Sequence, residues 1–152
     1  MTDDVVLLIE RGDARMAQGD VSGALESYEA GLAIATRLAA SDAGNAEWQR
    51  DLAISYERLG QVSAEDKNFV KARHYWQQEI EIAERLMAAD PTNADWPRFV
   101  AVVRIKLHGL GEADAVDQMR EAISLLEVLE ADGRITPRDS ELLNALREQG
   151  ST

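Results

Sequence analysis

Apolar residues recur along this chain at helical spacing. Trp48, Leu52, Tyr56 and Leu59 fall on one helix face, and so do Trp96, Val100, Val103 and Leu107. Ala72, Trp76, Ile80, Ala83 and Leu86 form a further stripe with the same period. Strict alternation and β-branched runs are missing, so no strand is expected. Asn45 predicts an N-cap before the Trp48 helix. Asn93 or Asp95 serves before the next one, where Pro97 fits only within the first turn. Gly44 and Pro91 keep the connecting segments from continuing as helix.

The pattern repeats. A shift of 48 positions lays Ala24 on Ala72, Tyr28 on Trp76, Leu32 on Ile80, Ile34 on Ile82 and Leu38 on Leu86. The match continues from Asp42 to Asp90, Asn45 to Asn93, Trp48 to Trp96, Arg50 to Arg98 and Ala53 to Ala101. A shorter third copy carries Ala115, Met119, Ile123, Leu125 and Leu129 on the Ala24-to-Leu38 pattern. Each copy reads as two helices. The copies span about 3–44, 45–92 and 93–132, in a single domain over the whole chain. Gly133 ends the third long helix, and Thr136-Pro137-Arg138-Asp139 then offers an N-cap, a proline at the first helical position and an acid at the third. The last helix, about 137–148, carries Leu142, Leu143 and Leu146 on one side and reads as a cap over the edge of a repeat stack. Gly150-Ser151-Thr152 is expected to fray.

Tyr56-x₂-Leu59-Gly60 followed by Ala72-x₃-Trp76 resembles the tetratricopeptide-repeat pattern, and the Gly60-to-Ala72 distance equals that from Gly12 to Ala24. Ala17-Gln18-Gly19-Asp20 and Trp48-Gln49-Arg50-Asp51-Leu52 resemble long-period bacterial members of that family. The resemblance implies an all-α fold of stacked antiparallel helix pairs, a TPR-like α-solenoid with about three repeats and a C-terminal capping helix. Gly60 is then the small residue at the helix crossing, with Trp76 filling the gap. The departures are a period of 48 in place of 34, which lengthens the second helices to about Ala40 and Ala89, and a weaker first copy with Leu8 and Arg11 for Tyr56 and Leu59. In the third copy the crossing falls at Leu107-His108 or Leu110-Gly111, with a shortened turn.

In such folds the first helix of each pair lines a concave groove. Counting from Gly12 and Gly60, the resemblance implies groove positions Val6, Ile9, Asp13 and Met16, then Ile54, Glu57, Gln61, Ala64 and Glu65, then Val102 and Ile105. The lysine and asparagine with which family members clamp a terminal carboxylate are absent from these positions. What remains is an apolar strip with acids at its margin, suited to an amphipathic helix or extended segment with basic flanks. The other reading has the strip covered by the final helix, by a second copy or by tight superhelical curvature.

Charge narrows the partners further. Twenty-eight acidic residues against sixteen basic ones leave a net charge of −12, which disfavours nucleic acid and anionic membrane surfaces. No apolar run approaches the roughly 18 residues of a membrane span. Met1-Thr2-Asp3-Asp4 lacks a positive n-region, and Val5 to Ile9 is short for a signal segment, so a cytoplasmic location is the default expectation. With no cysteine, disulfide and thiol chemistry are excluded. No nucleophile elbow, phosphate loop or metal-ligand spacing is found, so no catalysis, cofactor or metal is expected. His74 reads as a solvated surface residue and His108 as structural. Trp48 and Trp96 read as helix-packing residues, Arg50 and Arg98 as partners of a nearby acid or carbonyl, and Glu79, Glu81 and Glu84 as a charged outer face. A non-enzymatic protein-binding module or adaptor is therefore expected. The alternative is a structural or self-associating segment, such as the terminal part of a longer repeat assembly or a homo-oligomer.

Overall fold

The structure is a computed structural model that describes residues 2–150, with side chains from 4 to 149. Those residues form seven helices and no strand: α1 (Thr2–Ala17), α2 (Val21–Ser41), α3 (Ala46–Glu65), α4 (Phe69–Ala89), α5 (Asp95–Gly109), α6 (Ala115–Ala131) and α7 (Pro137–Gly150). Ser151 and Thr152, expected to fray, lie outside the described residues. Two compact units, Met1–Ile82 and Ala83–Thr152, divide the chain inside α4.

In the N-terminal unit, α1 packs on α2 and α2 on α3. The long second helices match the expectation, since α2 ends at Ser41 and α4 at Ala89, both 21 residues long. The repeat is visible in the backbone bonds of the turns. After α1, the Asp20 amide donates to the Arg15 carbonyl (2.9 Å) and the Gly19 amide to that of Met16 (3.0 Å). Forty-eight residues on, the Asn68 amide donates to Ser63 (2.8 Å) and the Lys67 amide to Ala64 (3.0 Å). Gly19 has φ +78° and Lys67 φ +60°, so both turns pass through the left-handed region that ends helices. Asp20 and Asn68 then cap the following helices, accepting from the amides of Gly23 (2.9 Å) and Lys71 (3.2 Å).

The helix crossings lie where the spacing put them. Ala24 and Ala72 are fully buried. A methyl group on Gly12 would come within 3.0 Å of the Tyr28 ring, and one on Gly60 equally close to the Trp76 ring. Each glycine thus lets an aromatic ring lie against helix backbone. Around these rings the N-terminal unit buries Val5, Ile9, Leu52, Ala53, Leu59 and Val62.

In the C-terminal unit, α5 packs on α6 and α6 on α7 around Ala101, Ala122, Leu126, Leu129, Leu143 and Leu146. Asn45 caps α3 as expected, accepting from the Trp48 amide (3.1 Å). At α5 neither expected residue is the N-cap: Ala94 holds that position with no side-chain cap, Asn93 before it accepts from the Asp95 amide (2.9 Å), and Pro97 sits in the first turn. Gly133 ends α6 with φ +69°, and Thr136 caps α7 by accepting from the Asp139 amide (3.1 Å). Arg98 reaches the acid at its own helix start, Asp95 (3.7 Å), as expected, and pairs more closely with Asp139 of α7 (2.7 Å), a partner the repeat did not indicate.

Three expectations are corrected. No close crossing occurs at Leu110-Gly111 at the end of α5, because a methyl group on Gly111 would meet nothing within 4 Å. His108 is half-buried there, its Nδ1 2.7 Å from the Ala115 carbonyl oxygen. The third copy loses helix rather than turn: α5 has 15 residues against 20 in α3, and the connection 110–114 exceeds those at 18–20 and 66–68. Glu79, read as part of an outer face, is 0% exposed, while Glu81 and Glu84 are exposed. Glu79 stands three residues after Trp76 and four before Ala83, so the helical period puts it on the buried stripe.

Trp76→Ala is expected to destabilise the protein by about 3–5 kcal/mol through the cavity it leaves, and Glu81→Ala to stay within about ±0.5 kcal/mol. Equal losses in urea midpoints would contradict the assignment of faces. Lys67 has a left-handed backbone without being glycine. Lys67→Gly is expected to raise stability by about 0.5–1 kcal/mol, the relief of a strained side chain outweighing the added chain entropy. A lowered midpoint would show that the strain is absent.

Candidate functional site

The groove positions of the N-terminal unit are not displayed alike. Val6 is 41% exposed, whereas Ile9 is 8% exposed and belongs to the core, which corrects its place on a displayed strip. Met16 and Ile54 are half-buried. Ile9 is four residues after Val5, which is fully buried, so α1 turns the two inward together.

Asp13 and Glu57 do not form a bare acidic margin. Tyr28 of α2 donates its hydroxyl to Asp13 Oδ1 (2.5 Å), and Arg58 of α3 donates Nε to the same oxygen (2.9 Å). Arg58 also grips its neighbour Glu57. One carboxylate of α1 thus ties three helices together. The Arg58–Asp13 pair is more than a third exposed, so the ion pair alone contributes little. Its effect is to hold both acids against a cation of this chain. In the second copy Trp76 brings no hydroxyl, and Gln61, the equivalent of Asp13, donates to Glu65 (3.3 Å). Ala64 is half-buried and Glu65 exposed.

The C-terminal unit holds the most cleft-like part of the predicted set. Val102 is 37% exposed and Ile105 half-buried, and both line a cleft of about 600 Å³ between α5 and α7. That is an ordinary size for a binding site. The spacing of α5 turns Arg98, Val102, Ile105 and Lys106 to one side, and the first turns of α7 bring Thr136, Arg138, Asp139 and Leu142 opposite. Ile105 and Leu142 also pack on the core, so the apolar floor is the outer wall of that core. The margin here is cationic: Arg98, Lys106 and Arg138 surround a single acid, Asp139, which Arg98 already holds. The acidic margin expected beside Val102 and Ile105 is therefore corrected. Reading along α5 alone could have shown Arg98 and Lys106, but not that α7 adds Arg138 across from them.

No three His, Asp or Glu side chains among the described residues are grouped to hold a metal ion. No helix among them is long and apolar enough to cross a membrane. In comparisons with known proteins, no family model, no curated protein and no solved structure matches this chain.

All three tyrosines are held in the neutral phenol form. Burial raises the Tyr28 pKa well above 10, and the hydrogen bond to Asp13 and its negative charge raise it further. Burial also raises Tyr56, with Glu81 adding, and Tyr75, with Glu29 adding. A raised folded pKa contributes stability that is full below the unfolded value of about 10 and is lost as pH rises through the folded values. Absorbance titration should therefore place every tyrosinate transition of the folded protein above 10 and bring all three back to about 10 in urea, with urea midpoints falling as pH climbs past 10. Asp13→Asn should lower the Tyr28 transition. A folded protein titrating at 10 would refute the network.

Proposed function

We propose that this chain is a non-enzymatic protein-interaction module of the TPR-like helical-repeat type, which binds a polypeptide segment on the faces of its first helices. The observation that carries this reading is the recurrence, 48 residues apart, of one crossing device and one turn, Gly12 on Tyr28 and Gly60 on Trp76. Helix pairs built alike can stack, and stacking leaves an elongated face on which side chains of successive first helices stand in a row. Val102 and Ile105, expected on that face, line an open apolar cleft in the C-terminal unit. Repeat folds carry their function in such surfaces rather than in a buried pocket.

A structural or self-associating role is the second reading, and it draws on α1. Leu7 is 56% exposed beside Val6, an apolar pair that a second copy would cover. The two readings differ in what Val102 does.

Val102→Asp is the test. Its exposure and its cationic neighbours let a carboxylate remain hydrated or paired there, so helicity by circular dichroism should be unchanged. Affinity-tagged wild-type chain, recovered from its own cells, should bring down a stoichiometric protein that the variant loses. An unfolded variant, or the same partner recovered with both proteins, overturns the site. A chain that brings down only copies of itself overturns the reading in favour of self-association.

A further inference from the structure

The cleft between α5 and α7 stands out in a chain of net charge −12, because three of the four charged side chains lining it are cations. Asp139 is 6% exposed and accepts from Arg98 Nε at 2.7 Å, so the one acid is turned inward and occupied. Arg138 is exposed and makes no ion pair among the described residues. Lys106 stands one residue after Ile105 on α5, and Val102 is the exposed part of the floor. Apolar floor and cationic rim face the same space.

We propose that this cleft binds an acidic amphipathic polypeptide segment, with an apolar side chain seated on Val102, Ile105 and Leu142 and a flanking carboxylate against Arg138. The proposal rests on the interaction-module reading and names its partner class, with flanking charges opposite to those expected from the chain's overall acidity. Short-range complementarity decides at the cleft, since charges beyond about 8–10 Å are screened at physiological ionic strength. A bare phosphate would use the rim and leave the floor wet, and a basic segment would meet cations at close range. An arginine offers a carboxylate paired, planar donors, which suits side-chain acids of a peptide. The open side at Val102 and Arg138 suits a length of chain lying across it better than a small ligand, which is usually enclosed over most of its surface.

Fluorescence polarisation with three labelled peptides tests this on the full chain: leucines set between glutamates, the same peptide with lysines for glutamates, and one with serines for leucines. The glutamate–leucine peptide should bind, more weakly as salt rises, and the other two should not. Arg138→Glu should weaken it by about tenfold or more, roughly 1.4 kcal/mol. This variant places an acid in the first turn of α7, where the helix favours one, so circular dichroism should be unchanged. Val102→Ser should weaken binding independently. Equal binding of acidic and basic peptides, indifference to Arg138→Glu, or no binding of the acidic peptide overturns the proposal. Displacement by inorganic phosphate would make the cleft a plain anion site, displacement by dodecanoate would make it a fatty-acid site, and either overturns it as well. A basic or neutral segment bound regardless of Arg138 would sink the acidic partner while leaving the interaction module standing. Loss of the module itself would appear separately, as a tagged chain that recovers no partner.

Discussion

The approach of an aromatic ring to a glycine on the neighbouring helix sets the geometry of the N-terminal unit. Tyr28 lies on Gly12 and Trp76 on Gly60, in each case where any Cβ would collide with the ring. Interiors are packed at near-crystalline density, so such a contact admits little rotation or slide between helices. Once the crossing is set, its neighbours have no freedom to choose faces. Asp13 follows Gly12 and so reaches the Tyr28 hydroxyl at 2.5 Å. Ala24 and Ala72, one turn before the rings, are sealed beneath them. The three-residue turns then return the chain with matching bonds on both occasions, even where Lys67 must adopt a backbone that favours glycine.

Near-identical hairpins acquire different chemistry through single substitutions. In the first copy a phenol at the crossing recruits Asp13 and, through it, Arg58 of α3. In the second copy an indole occupies the same place, and the residue equivalent to Asp13 is Gln61, which turns along its own helix to Glu65. The polar tie is thus a property of one copy and not of the repeat. It also sets two acids against a cation of the same chain, because Asp13 and Glu57 both face Arg58.

Net charge and local charge point in opposite directions in the C-terminal unit. A surface with an excess of acids repels polyanions at long range, yet binding is settled within a few ångströms of the contact. The capping turn of α7 is what changes the local sign. Thr136 holds the helix start, Asp139 turns back to Arg98, and Arg138 is left on the open side. A cap that ends the core of Leu126, Leu129, Leu143 and Leu146 therefore also supplies one wall of the cleft.

Helical class, helix limits near Ser41 and Ala89, the caps at Asn45 and Thr136, and the crossings at Gly12 and Gly60 were all legible in the sequence. Each depends on spacing within one or two helices, and a period of 3.6 repeated at an interval of 48 carries that information directly. Even the burial of Glu79 was written in that period, although its charge argued for the surface. What could not be read was which side chains meet from different helices. Ile9 turned out to be core, Asp13 and Glu57 turned out to share Arg58, and the margin beside Val102 turned out to be basic. These depend on how α1 meets α3 and how α7 meets α5. Contacts between elements far apart in sequence are set by the packed geometry of the helices, and residue order along the chain does not encode them locally.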